Sequence, residues 1–174
     1  MLARISQKRY CIRRIIATSA VLTALAASAL FMLPGKTQYL ILVNERSGKA
    51  LYAAEASDGT EFSISFIHSV NFSPVTEHYQ IIDGQIYLTA LRYESFGAGM
   101  PTELTEGQKL SHEHGQLLIT GFDRMIPRLC YFISRIDGHA FQINGVSAPL
   151  NTLDEPGEPV LFAVVERYVR PKLK

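Results

Sequence analysis

The sequence predicts an all-β domain, an antiparallel sandwich or partly open barrel, preceded by one amino-terminal transmembrane helix. Three observations carry that prediction. From Ile15 to Gly35 no residue is charged. Beyond Gly35, short apolar runs are separated by turn signals about every eight to twelve residues, the spacing of short antiparallel strands. No stretch in this later part keeps a helical apolar period.

The uncharged run comes first. At about 1.5 Å per residue, such a helix would span about 30 Å of hydrocarbon. Arg4, Lys8, Arg9, Arg13 and Arg14 precede it with no acidic residue among them. The positive-inside bias then keeps residues 1–14 in the cytoplasm as a basic segment and exports residues 36–174 as an extracytoplasmic β domain. The segment 15–35 is a transmembrane anchor or a signal. Ala27-Ser28-Ala29 would suit signal peptidase, whereas Leu30 to Leu33 extend the apolar run past that point and favour the anchor. The expected place is a bacterial inner membrane, crossed once, with the carboxy-terminal domain in the periplasm or outside.

Charge and cysteine usage narrow the class. The chain has 17 Lys plus Arg against 16 Asp plus Glu. Five of the basic residues lie before the apolar run, which leaves 12 against 16 in the exported part. No basic stripe remains there for a nucleic acid. Arg167, Arg170, Lys172 and Lys174 read as a solvated tail. Cys11 and Cys130 fall on opposite sides of the expected membrane, so no internal disulfide is expected, and Cys130 reads as a small buried apolar residue.

The expected strands follow in order: Tyr39 to Asn44, Ala50 to Ala56, Glu61 to Val70, Val75 to Ile82, Ile86 to Glu94, Gln116 to Thr120, Leu129 to Ile136, Ala140 to Asn144 and Val160 to Val169. Their breaks carry turn chemistry: Ser47-Gly48, Asp58-Gly59, Asp83-Gly84, Asp137-Gly138 and Asn144-Gly145. Thr102 to Gly115 reads as an irregular acidic stretch, and Pro149 to Pro159 as an acidic surface loop.

One hairpin carries the chemistry. Phe62, Ile64, Phe66, His68 and Val70 share one strand parity, and Val75, Glu77, Tyr79 and Ile81 share another. A four-residue loop, Asn71 to Pro74, would pair Val70 with Val75, Phe66 with Tyr79 and His68 with Glu77. Pairing Ile81 with Ile86 across the next turn would then set Ala90 opposite Glu77 and Arg92 opposite Val75, with Arg92 diagonally in reach of Glu77. A polar cluster of His68, Glu77 and Arg92 on the apolar face follows. Ionisable groups there must satisfy one another.

Neighbouring features are weighed against it. Ser69 points to the face opposite His68, which argues against a Ser-His dyad. Gly97 and Gly99 let backbone amides approach a ligand or a neighbour, ahead of Pro101. His112-Glu113-His114 places two imidazoles on one side of an extended segment, although a solvated turn is the plainer reading. No metal, no cofactor and no catalytic residue is assigned.

The run Phe62, Phe66, His68-Ser69-Val70, Pro74-Val75 and Glu77, followed by Ser95-Phe96-Gly97-Ala98-Gly99-Met100-Pro101, resembles the domain-of-unknown-function family numbered 1850. The resemblance extends over roughly Leu40 to Val169. Here Asn71-Phe72-Ser73 replaces an expected acidic residue and threonine, and Met100 an expected leucine. The resemblance implies a small exported domain associated with TRAP-type permeases of the TAXI class, and it implies no catalytic activity. The expected function is therefore a non-enzymatic extracytoplasmic accessory of such a transport system, binding a transporter permease, a solute-binding protein or a small anionic solute. Two alternatives stay open on the residues: an exported hydrolase or lyase with His68 and Glu77 as acid and base, and a structural envelope module.

Overall fold

Alternating apolar and polar residues make the strands, and the computed structural model arranges them in two sheets. It describes residues 35–70, 72–94, 101, 103–135 and 138–169. The expected anchor lies outside the described residues except for Gly35. Met1–Lys36 with Tyr168–Lys174 form one unit, of which only strand ends are described, and Thr37–Arg167 form the other. The second unit is the β domain.

Its strands are β1 Gly35–Asn44, β2 Ala50–Ala56, β3 Glu61–Ile67, β4 Pro74–Ile82, β5 Gln85–Tyr93, β6 Lys109–Glu113, β7 Gln116–Met125, β8 Leu129–Phe132, β9 Ala140–Ile143, β10 Val146–Pro149 and β11 Pro159–Val169. A single 3-10 turn, Leu150–Thr152, follows β10. One sheet has the order β2-β1-β11-β8, and the other β10-β9-β3-β4-β5-β7-β6. The described pairings of the larger sheet are all antiparallel. The all-β expectation therefore holds for the described residues.

The apolar parities meet between the sheets. Leu40 and Leu42 of β1, Val160 and Phe162 of β11 and Leu129 of β8 pack in one cluster with Phe62, Ile64, Tyr79, Ile81, Phe141 and Ile143 of the larger sheet. Phe62 anchors it, stacked on Tyr79 at 5.1 Å and on Phe162 at 6.2 Å. Each such pair contributes about 0.5–1.5 kcal/mol beyond its buried area. A second cluster, Val75, Leu91, Tyr93, Leu117 and Ile119, lines β4, β5 and β7 further along the same sheet.

Turn chemistry sets three hairpins. Asp83 and Gly84, at φ 49° and 71°, join β4 to β5, and Asn144 and Gly145, at 50° and 75°, join β9 to β10. Both have the two positive φ values that suit the strand twist. His114 and Gly115, at 52° and 82°, make a third such turn. It closes β6 onto β7, so the last part of the stretch expected to be irregular is a strand. The expected acidic loop is likewise more ordered than its composition suggests. Leu150 in it is fully buried, and the buried Asn44 Nδ2 donates to Asp154 at 2.8 Å and to Glu158 at 3.0 Å.

Candidate functional site

The hairpin expected to carry the site is present, but its register is not the expected one. Phe66 pairs with Val75, Ile64 with Glu77 and Phe62 with Tyr79, a slide of four residues. An even slide keeps every side chain on its own face, so the apolar pattern cannot tell the two registers apart. The loop decides between them. His68 N donates to Ser73 O at 2.9 Å, and Phe72 N donates to His68 O at 2.9 Å, so the chain turns before His68 can reach β4. His68 Nδ1 accepts from Val70 N at 3.2 Å and thus holds its own loop. Ser69 is exposed in the same turn. The predicted facing of His68 and Glu77 is therefore incorrect.

Glu77 finds other partners. It points between the sheets, where Tyr79 Oη donates to Glu77 Oε2 at 2.7 Å. Tyr131, reaching across from β8, also donates its hydroxyl to Glu77 Oε2, and the two phenol oxygens lie 2.8 Å apart. Burial raises the Glu77 pKa, opposed by the Tyr79 hydrogen bond and by the charge of Arg124. Burial, then the charge of Glu77 and its hydrogen bond, push Tyr79 above the ordinary phenol range.

Aromatic rings close over this group. Tyr131 lies 5.7 Å from His139 and 6.2 Å from Phe66, centroid to centroid. His139, 6% exposed, accepts at Nδ1 from Ser134 N at 3.1 Å. Burial lowers its pKa.

Arg92 does not join Glu77 either. Ile81 pairs with Ile86 as expected, and Tyr79 with Leu88, but the register then shifts, so that His78 faces Ala90, Glu77 faces Leu91 and Thr76 faces Arg92. Thr89 is the extra residue of a β-bulge, which turns the rest of β5 over. Leu91 and Tyr93 go inward, and Arg92 goes to the outer face, where its Nη2 donates to Glu113 Oε2 at 3.1 Å. The expected cluster of His68, Glu77 and Arg92 is thus distributed over a loop, the interior and the outer face. Pro101 accepts from the Tyr93 hydroxyl at 3.2 Å. Gly97 and Gly99 lie outside the described residues.

A second irregularity in the same rungs, between Leu88 and Ala90 against β7, deepens the outer face. Gly121 makes it possible. Its φ is 81°, and a Cβ there would stand 2.3 Å from Gly107 O. The outer face carries a cleft of about 430 Å³ whose walls include Glu61, Ser63, His78, Arg92, Thr120 and Gln142. Ala90 and Leu118 give it apolar floor. His78 Nε2 is buried and has no protein partner among the described residues. Burial lowers the His78 pKa, the Arg92 charge adds to this, and Glu61 opposes it.

A family model described as a domain of unknown function (DUF1850) matches residues 62–150. The match takes in 89 of 174 residues. The chain belongs to the DUF1850 family. The matched part of this DUF1850 chain runs from β3 to the start of the 3-10 turn. It therefore contains Glu77, Tyr79, His78, Arg92, Tyr131 and His139, and of the smaller sheet it contains only β8. Comparison with curated proteins and with solved structures gave no match.

Sequence reasoning missed four of these residues, for different reasons. Tyr79 shares the parity of Glu77 two residues away and was legible as its neighbour. His78 and His139 carry no spacing that marks them. Tyr131 comes from the other sheet, 54 residues on, and nothing local announces it. Among the described residues no group of three or more His, Cys, Asp or Glu could hold a metal ion.

Proposed function

We propose that this DUF1850 chain is a non-enzymatic extracytoplasmic accessory of a TRAP-type solute transport system of the TAXI class. An amino-terminal segment holds it at a bacterial inner membrane, and the end of the β3–β4 hairpin docks on the transporter's permease or its solute-binding protein. The observation that carries the docking is the loop itself. Val70 and Phe72 are 65% and 73% exposed, and Phe72 is held at φ 53°.

A bulky residue in the left-handed region carries a conformational cost of about 1–3 kcal/mol. Here the hydrogen bonds of His68 and the burial of Ser73 hold the loop that imposes it. The outcome is an aromatic ring presented to solvent from a backbone position tied to His68 by a hydrogen bond, the arrangement of an anchor residue at a protein interface. The uncharged run from Ile15 to Gly35 after five basic residues supports the membrane placement. What the resemblance implies, an association with TAXI permeases, supports the partner.

Co-purification of the full chain from detergent, at native expression, tests the reading. The permease or the binding protein is expected to come with it, and replacing Val70 and Phe72 by serine should abolish the recovery with the melting temperature unchanged. Recovery of the wild-type chain alone would overturn it.

A further inference from the structure

The outer-face cleft lies apart from the docking loop and has a charge pattern of its own. Along β4 the rungs run Thr76 with Arg92, His78 with Ser63 and Ala90, and Gln80 with Glu61. Arg92 on β5 and Glu61 on β3 therefore flank His78 on opposite sides, each about 7 Å along the strand and about 5 Å across the sheet from it at the backbone. Between them lie neutral groups: the buried His78 Nε2, without a partner among the described residues, the hydroxyls of Ser63 and Thr120, the Gln142 amide, and the apolar floor of Ala90 and Leu118.

Glu113 takes one guanidinium nitrogen of Arg92 and fixes its direction, while a guanidinium has five N–H groups to give. A dianion in this cleft would meet Glu61, and a dication would meet Arg92. We propose that the cleft binds a small zwitterion of the amino-acid class, whose carboxylate and ammonium groups are several bonds apart. Its carboxylate lies on Arg92 and receives a hydrogen bond from His78 Nε2–H. Its methylenes lie over Ala90 and Leu118, and its ammonium lies on Glu61. The proposal does not rest on the docking surface, and its failure would leave that surface untouched.

Calorimetric titration of the full chain in detergent, with ε-aminohexanoate, γ-aminobutyrate, hexanoate and hexylammonium as probes, tests it. Imidazole nitrogen resonances recorded alongside report on His78. The longer zwitterion is expected to bind about tenfold or more tighter than either singly charged analogue, the loss of one charge-assisted contact, and to shift the His78 resonances. Glu61→Gln should bring ε-aminohexanoate down to the level of hexanoate, and Arg92→Gln down to that of hexylammonium. Glu61 is exposed at a strand end, so its variant carries the test if Arg92→Gln fails to fold. Equal binding of a singly charged analogue, or a zwitterion that gives neither heat nor a His78 shift, would overturn the proposal.

Discussion

Glu77 and His78 are chain neighbours on β4, and they live under opposite rules. Glu77 faces the other sheet, and its carboxyl is enclosed by the hydroxyls of Tyr79 and Tyr131. His78 faces away from the core and lines the outer-face cleft, and its buried Nε2 has no protein partner among the described residues. A group satisfied from two sides is part of the fold. One that is desolvated and left unpaired keeps a binding capacity that the fold does not consume. Strand alternation separates the two roles by a single position.

The bulges set which residues of β5 and β7 share the outer face with His78, and breaking them should have the largest effect. Gly121→Ala places a Cβ 2.3 Å from Gly107 O at a φ of 81°. Strain and overpacking together should cost about 3 kcal/mol or more. Denaturant unfolding of the variant measures it. A change under about 1 kcal/mol would mean that the Gly121 bend is not needed to shape the outer face.

The interior side of the comparison comes next. Tyr131→Phe removes the hydroxyl that crosses between the sheets and leaves the ring in place, which should cost about 1–3 kcal/mol, the range for stripping a buried polar group of its partner. His78 should be unaffected in that variant, and its imidazole resonances should stay where they are. A coupled shift would join two sites that the sheet is expected to separate.

Much of this arrangement was legible in the sequence, and the losses have identifiable causes. Ala50–Ala56 was expected with its observed ends, because Asp58-Gly59 and Gly48 punctuate it on both sides. The Asp83-Gly84 turn fixed the register at Ile81 and Ile86, since a two-residue turn leaves no freedom of pairing. The β3–β4 loop lacked such a signal. Four or six intervening residues preserve the same faces, and backbone hydrogen bonds within the loop made the choice. Arg92 was lost to the Thr89 bulge, which strict alternation cannot anticipate. The end of the expected irregular stretch became β6 through a His-Gly turn, a pair outside the usual Asn-Gly and Asp-Gly signals.

A smaller effect separates the two residues by pH. Burial raises the Glu77 pKa above its ordinary 4.5, so the folded chain holds this proton more tightly than the unfolded one. The stability it contributes is fully present below that ordinary value and is lost as pH rises through the folded pKa. Glu45, lowered chiefly by its Arg128 hydrogen bond, and Asp154, lowered chiefly by Asn44, act in the opposite sense and lose theirs on acidification. Both are unchanged in Glu77→Gln. Wild type minus variant therefore isolates Glu77: the difference in unfolding free energy should fall as pH rises above 4.5, and a difference that climbs over the same range would reverse the assignment.

The smallest expected change in stability falls at His78, and its smallness is the informative part. His78→Leu keeps most of the side-chain volume and removes a desolvated nitrogen that no protein group among the described residues satisfies. Removing an unpaired polar group in favour of an apolar one of similar shape is close to neutral, so unfolding should move by less than about 0.5 kcal/mol in either direction. An imidazole that served only the fold would instead show the cost of a lost internal bond. If the variant melts with wild type and no longer binds ε-aminohexanoate, stability and binding part company at one position. A large destabilisation would place His78 on the same footing as its inward neighbour and remove the contrast between them.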